Sequence, residues 1–337
     1  MRFNAAMTTP TRPPRAILTL ALALALALTT AACAAGNSDG ASTTRPTTTT
    51  TTAAAQAPKT ATASAICRQT ATKATVAYRK IAGIPANATS VDVYPVAGVC
   101  NAPVVMWVHG GGYQIGDKSQ QIRDKVKLFN AKGWILVSVN YRLTAPGQPG
   151  SAQFPDHFDD VANAVSWVHT NIARYGGDPT RIALLGHSAG ADIVSNVAIN
   201  PTYLRQHRLD LRVLDCAGPL DTEGFDKITS NAGALGGEQQ QWVDALGNNP
   251  NYQTETSATG LIKRGIHIPP MIGIYRGSPT RQKIENNFLK ALDTAGIRTT
   301  KIDARSLTHA QVSQNIGAPT DKVMTTPILR FLTTCFR

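Results

Sequence analysis

Between an apolar run at 181–185 (RIALL) and a helically patterned segment at 189–199, the chain reads Gly186-His187-Ser188-Ala189-Gly190. Few architectures accept such a passage. The glycines flanking Ser188 allow a bend too tight for ordinary side chains, and a strand that turns straight into a helix belongs to a sheet covered by helices. The bend brings the Ser188 hydroxyl to the carboxyl edge of that sheet, beside the positive end of the next helix.

The rest of the chain supplies such a sheet. Short β-rich runs bounded by Gly and Pro occur at 75–82, 89–95, 103–108 (PVVMWV), 134–139 (WILVSV), 211–214, 270–275 (PMIGIY) and 299–304. Runs 134–139 and 181–185 are almost wholly apolar, as in parallel strands buried on both faces, and the first two runs suggest an antiparallel hairpin at the edge. Helical spacing marks 157–174, 189–199, 280–295 and 320–334, with Phe158, Val161, Ala164, Val165 and Val168 forming one buried face. Asp159 and Asp160 begin that helix and are read as structural.

The two ends of the chain stand apart from this pattern. Residues 1–15 carry Arg2, Arg12 and Arg15 without an acid, and the apolar run 16–28 is too short to span a bilayer, so residues 1–32 are expected to be a secretory signal peptide. Thr29-Thr30-Ala31-Ala32-Cys33 is similar to a bacterial lipobox, with Thr30 where that motif usually has Leu. It makes Cys33 the expected lipidation site, and the expected location the outer face of the cell membrane or, without the lipid, the secreted fraction. Residues 33–65, including six consecutive threonines at 47–52, cannot bury a core and are read as a tether. One folded domain, 66–337, remains. Its cysteines, Cys67, Cys100, Cys216 and Cys335, suit two disulfides in an exported chain, with three pairings open.

The formal charge of +12 is dispersed, with no run of four basic residues, which argues against nucleic acid and for a general attraction to anionic envelope surfaces. No Cys/His spacing suggests zinc, and the glycine-rich segment His109-Gly110-Gly111-Gly112-Tyr113 lacks the following GK[ST] of a phosphate loop. No metal or cofactor is therefore expected. Directly after run 103–108, those glycines allow backbone N–H groups to approach a substrate oxygen, so Gly111 and Gly112, with Ala189, are the candidate donors to a developing oxyanion. Tyr113 and Gln114 are candidate substrate-binding residues.

HGGGY, VSVNYRL (137–143), FPDHFDDVANAVSWV (154–168) and ARYGGDPTRIALLGHSAGA (173–191) together resemble the α/β-hydrolase superfamily, in its carboxylesterase and hormone-sensitive-lipase-like HGGG branch. The resemblance covers roughly residues 75–335. It implies the α/β-hydrolase fold, an α/β class with an eight-stranded, mostly parallel sheet, and a serine, acid and histidine in that chain order. It also implies a small-molecule ester as substrate. Of the histidines after Ser188, His207 precedes a strand and His267 lies at the wrong end of one. His309 follows the last strand and is the expected base. The acid departs from the family pattern, because the loop after 270–275, Arg276 to Arg281, carries no carboxylate. Asp215, at the end of the expected strand 211–214, is the first candidate, with Asp221 and Asp303 behind it and a site without an acid left open. Residues 217–266 are read as a lid-like insertion with a short helix near 238–246.

The expected activity is hydrolysis of carboxylic esters, with short acyl groups favoured. Two other readings stand beside it: a formamidase-like amidase, since GDKS (116–119) after the glycine loop is similar to kynurenine-formamidase-like hydrolases, and a non-catalytic binding protein on the same scaffold.

Overall fold

A computed structural model of the chain describes residues 69–232, 238–247 and 250–337. The proposed signal peptide, the tether, Cys33 and Cys67 lie outside the described residues. The elements run β1 (Ala74–Ala77), β2 (Ser90–Tyr94), β3 (Ala102–Val108), α1 (Arg123–Asn130), β4 (Ile135–Val139), α2 (Asp156–Asn171), β5 (Gly177–His187), α3 (Ala189–Ile199), α4 (Pro201–Arg205), β6 (Cys216–Leu220), α5 (Lys227–Ala232), α6 (Glu238–Leu246), α7 (Pro250–Glu255), α8 (Ala258–Leu261), β7 (Met271–Tyr275), α9 (Pro279–Thr294), β8 (Thr299–Asp303), α10 (His309–Gln314) and α11 (Thr325–Cys335).

The strands form one eight-stranded sheet in the order β1-β2-β4-β3-β5-β6-β7-β8. β2 is antiparallel to both β1 and β4, and the pairs from β4 through β8 are parallel. Period-two alternation explains the continuous apolar runs. In β3, Val104, Met106 and Val108 join the core on one face, while Val105 and Trp107 join the core on the other. The first core includes Phe158, Val161 and Val165 of α2 with Ile193 and Val197 of α3, and the second includes Ile328, Phe331 and Leu332 of α11. Each such side chain contributes about 1.5–3 kcal/mol relative to exposure.

One strand is displaced from its expected place. Residues 211–213 form a 3-10 turn, Leu211–Val213, whose three-residue period brings Leu211 and Leu214 to one buried side. The strand is Cys216–Leu220, a sequence (CAGPL) whose Gly and Pro read as a turn. Gly218 is required there because a Cβ would meet Leu185 and, at 2.9 Å, Ile272. The amide of Ala217 bonds to Pro270 O on the β7 side, so the amide two residues on would face the same way. Pro219 has none to give, and β6 and β7 share a single registered pair, Ala217 with Met271.

Cys216, at the start of β6, is disulfide-bonded to Cys335, at the end of α11, across a sequence separation of 119. Cys100 is also disulfide-bonded. The Cys216–Cys335 bridge closes a long loop of the unfolded chain, so Cys335→Ser is expected to lower stability by about 2–5 kcal/mol in urea unfolding. An unchanged midpoint would show that the bridge does not constrain the unfolded chain.

Candidate active site

At the end of β5 the chain turns into α3 through Ser188, whose backbone sits at φ 57°, ψ −124°. This is strained territory for a residue with a Cβ, and its neighbours hold it there. A Cβ on Gly186 would strike the Gly190 carbonyl, and one on Gly190 would strike the carbonyls of Val108 and His109. The two glycines thus allow α3 to close onto the ends of β5 and β3. Gly110 is tied to the same bend, because a Cβ there would lie 2.9 Å from Ser188 Cβ.

His309 reaches Ser188 from the far end of the sheet. It is the first residue of α10, fixed by a capping box between Thr308 and Gln311. Its Nε2 lies 2.9 Å from Ser188 Oγ, and its Nδ1 lies 2.6 Å from Asp221 Oδ2. With Nδ1 protonated toward Asp221, Nε2 is left to accept the serine proton. His187 adds a second constraint: its Nε2 donates to the His309 carbonyl at 2.9 Å, and the two rings lie 4.5 Å apart. Burial, followed by the neighbouring His309, lowers His187 to about 4, so it stays neutral at ordinary pH.

The carboxylate beside His309 is therefore Asp221, and Asp215 is displaced from that place. Because the strand is 216–220, Asp221 follows its carboxyl end, whereas Asp215 precedes it and donates its backbone N–H to Ile182 O at the opposite edge. Burial first, and then Asp178, raise Asp215 to about 6. Asp303, the third candidate, forms an exposed ion pair with Arg305.

The loop that lacks an acid supplies the groups that hold one. Arg276 Nη1 lies 2.5 Å from Asp221 Oδ2, and Arg281 Nη2 lies 3.0 Å from Oδ1. Arg281 also pairs with Glu223. Burial pushes the Asp221 carboxyl up, but the hydrogen bond from His309 and the charges of Arg281 and Arg276 outweigh it, leaving a value of about 2. A depressed folded-state value means that this carboxylate stabilises the fold above the usual carboxylate range and loses that contribution as pH falls through about 2.

Facing Ser188 across the carboxyl edge is the glycine loop. The amides of Gly111, Gly112 and Ala189 donate to no group among the described residues, so they remain available to an outside acceptor. Gly111 and Gly112 both have positive φ, at 121° and 58°. A Cβ on Gly112 would strike the Gln241 amide of α6. His109 stacks on Tyr141 at 4.5 Å and directs Nδ1 to Gly110 O at 2.8 Å, and so orders the loop.

Of the two residues expected to bind substrate, Gln114 lines the cleft and donates to Asp244 of α6 at 2.8 Å. Tyr113 is turned into the core, only 1% exposed, with its hydroxyl on Asp192. It meets the site only in the wall of a small recess. Asp192 is held in turn by Lys227 at 2.8 Å and Asn196 at 3.0 Å. Asp160 is likewise structural, paired with Arg142 at 2.7 Å and Arg79 at 3.3 Å. His187, Arg276 and Arg281 were not singled out from the sequence. The signal the sequence offers is the pair of arginines in the loop where the family pattern has a carboxylate.

Two cavities flank Ser188. A cleft of about 460 Å³ is lined by His309, His187, the glycine loop, Gln120, Gln121 and Ser313, with Trp107 at its base. The other is a recess of about 30 Å³ between Ala189, Thr222, Glu223, Gln241 and Trp242. Lys125 braces the cleft wall from below, with Nζ on Gln121 O at 2.9 Å and Ser313 O at 2.7 Å, over the Trp107 ring at 4.5 Å.

Comparison with solved structures places this architecture. Esterase B from Lactobacillus rhamnosis superposes with a TM-score of 0.63 at 18% identity, over 78% of this chain and 84% of that one. A Pyrobaculum calidifontis esterase gives a TM-score of 0.55 at 21% identity, over 73% and 78%. The chain has the α/β-hydrolase fold. The model of the carboxylesterase family matches residues 48–208, which contain the glycine loop and Ser188 but end before Asp221 and His309. Acetylcholinesterase-1 from Trittame loki is 37% identical over 106 residues, 29% of this chain. The chain spans only 18% of that relative's length. Within this α/β-hydrolase fold, the segment 48–208 matched by the family model carries β3, β5 and the bend between β5 and α3.

The two aspartates give opposite expectations. Asp221→Asn should lower kcat by about 10³–10⁴-fold, because an amide favours the wrong imidazole tautomer. Asp215→Asn should leave kcat where it was. Steady-state kinetics on both variants, with circular dichroism to confirm folding, would reverse the assignment if the effects were exchanged.

Proposed function

We propose that this chain is a carboxylic ester hydrolase working through Ser188, His309 and Asp221. The observation that carries this reading is the hydrogen-bonded line from Asp221 Oδ2 through His309 to Ser188 Oγ, with spans of 2.6 and 2.9 Å. Ser188 Oγ attacks the ester carbonyl carbon while its proton passes to His309 Nε2, and Asp221 stabilises the imidazolium. The negative charge on the former carbonyl oxygen is received by the amides of Gly111, Gly112 and Ala189, each contributing about 2.7–4 kcal/mol. Collapse of this intermediate breaks the bond to the alcohol oxygen, which takes the proton from His309. Water, deprotonated by the same imidazole, then releases the carboxylic acid and restores Ser188. The binding-scaffold alternative rested on a missing carboxylate, a gap that Asp221 fills. The enzyme is exported and anchored through Cys33. The pattern of residues 1–33 supports this, as does the Cys216–Cys335 disulfide, which suits an oxidising compartment.

Proton delivery assigns the two cavities. The alcohol oxygen must lie beside His309 Nε2, so the leaving group occupies the cleft that His309 lines and the acyl group points to the other side of Ser188. That side is the recess of about 30 Å³ under Trp242, which favours acyl groups as small as acetyl.

A fluorophosphonate probe tests the reading directly. Labelling of the folded chain should be lost in Ser188→Ala, and a folded wild-type chain that neither labels nor turns over any ester would overturn the proposal. For acyl size, Trp242→Ala should raise the butyrate-to-acetate ratio of kcat/KM by about tenfold or more. The milder Trp242→Leu should move the ratio the same way, and an unchanged ratio in a folded variant removes the recess from acyl selection.

A further inference from the structure

The cleft on the leaving-group side has an unusual chemical character for this chain. Among the described residues that line it there is no Asp, Glu, Lys or Arg, although the chain carries 33 basic and 21 acidic residues. Its polar groups are instead neutral: the amides of Gln114, Gln120, Gln121 and Gln241 and the hydroxyl of Ser313. The charged groups near Ser188 lie elsewhere. Asp221, Arg276, Arg281 and Glu223 pair with one another on the β6 and β7 side, and Asp244 is engaged by Gln114. Lys125 is buried beneath the floor against backbone carbonyls.

Resting on the hydrolase reading above, we propose that the alcohol released from this site is a neutral polyhydroxylated one, such as a sugar ring carrying an ester on one of its hydroxyls. A carboxamide offers both a donor and an acceptor, which is the complement of a hydroxyl that can do either. Gln114 illustrates the arrangement: Asp244 takes a proton of its Nε2, which fixes the amide and leaves Oε1 to accept from a substrate. Gln120 and Gln121 are exposed at the cleft wall, and Lys125 holds the Gln121 carbonyl, so that side of the loop is fixed in place. Ile115, 70% exposed among these amides, gives an apolar surface for the C–H face of a ring. A volume of about 460 Å³ lies within the range of roughly 300–1,000 Å³ usual for small-molecule sites.

Other alcohols fit less well. A cationic alcohol would find no carboxylate and no open aromatic face among the described lining residues, where Trp107 is only 2% exposed. An anionic one would find no arginine or lysine among the described lining residues. A long aliphatic alcohol would strip water from several amides without replacing their hydrogen bonds.

The experiment holds the acyl group constant and varies the alcohol. The full exported chain would be assayed with methyl 6-O-acetyl-glucoside, hexyl acetate, acetylcholine and acetylsalicylate, with p-nitrophenyl acetate to register hydrolysis as such. The acetylated glucoside should exceed each of the other three in kcat/KM by about tenfold or more. The Gln120→Leu/Gln121→Leu double variant should lower the glucoside-to-hexyl ratio by about tenfold. Hydrolysis of p-nitrophenyl acetate with hexyl acetate, acetylcholine or acetylsalicylate at or above the glucoside would overturn this inference and leave the hydrolase reading standing. So would an unmoved ratio in the folded double variant. If no ester at all were cleaved, the hydrolase reading would fail and this inference with it.

Discussion

The backbone of Ser188, at φ 57°, is the constraint on which the site is built. Holding a residue there costs about 1–3 kcal/mol, and it persists only where the surroundings leave no alternative. Those surroundings are supplied by close backbone approach: Gly186 against Gly190, Gly190 against the ends of β3, and Gly110 against Ser188 itself. Three chain segments meet at one point because none of them carries a side chain there. The cores on both faces of the sheet hold β3 and β5 in register, and that register fixes the distance between the glycine loop and the hydroxyl.

Asp221 shows how a site can change the source of one component and keep its electrostatics. The acid is carried by the strand before β7, and the β7 loop contributes cations instead of an anion. The hydrogen bond from His309 and two guanidinium groups, the Arg276 and Arg281 side chains, keep the carboxylate ionised in a buried position where desolvation alone would favour the neutral acid. The planar forks of Arg276 and Arg281 also fix its orientation, which a hydrogen bond to a single imidazole nitrogen requires. Asp221 itself sits at φ 64°, a conformation Asp tolerates better than most residues, and this turns the side chain back toward His309.

Much of this was legible in the residues. Ser188 and the glycine loop announce themselves because their chemistry needs local sequence: a bend between a strand and a helix, and consecutive residues without Cβ. His309 could be found by chain order alone. Asp221 could not be chosen over Asp215, because the choice depends on where one strand begins, and CAGPL hides that. Its Gly and Pro are answers to neighbouring strands, Leu185 and Ile272 on one hand and a missing amide toward β7 on the other, and only the assembled sheet reveals them. The partners of Arg276, Arg281 and His187 are hidden for the same reason, since each acts on a residue far away in the chain. Tyr113 packs in the core at a positive φ and meets the site only in the wall of the recess, a placement that no pattern of apolar residues records.

The bridge between Cys216 and Cys335 encloses Asp221, α6 and His309 within one covalent loop. A protease that cuts the backbone once anywhere between those cysteines therefore severs no part of the molecule from the rest. A chain nicked in this way keeps Asp221 and His309 tethered to the same scaffold, and the two fragments separate only after a thiol reductant opens the bridge.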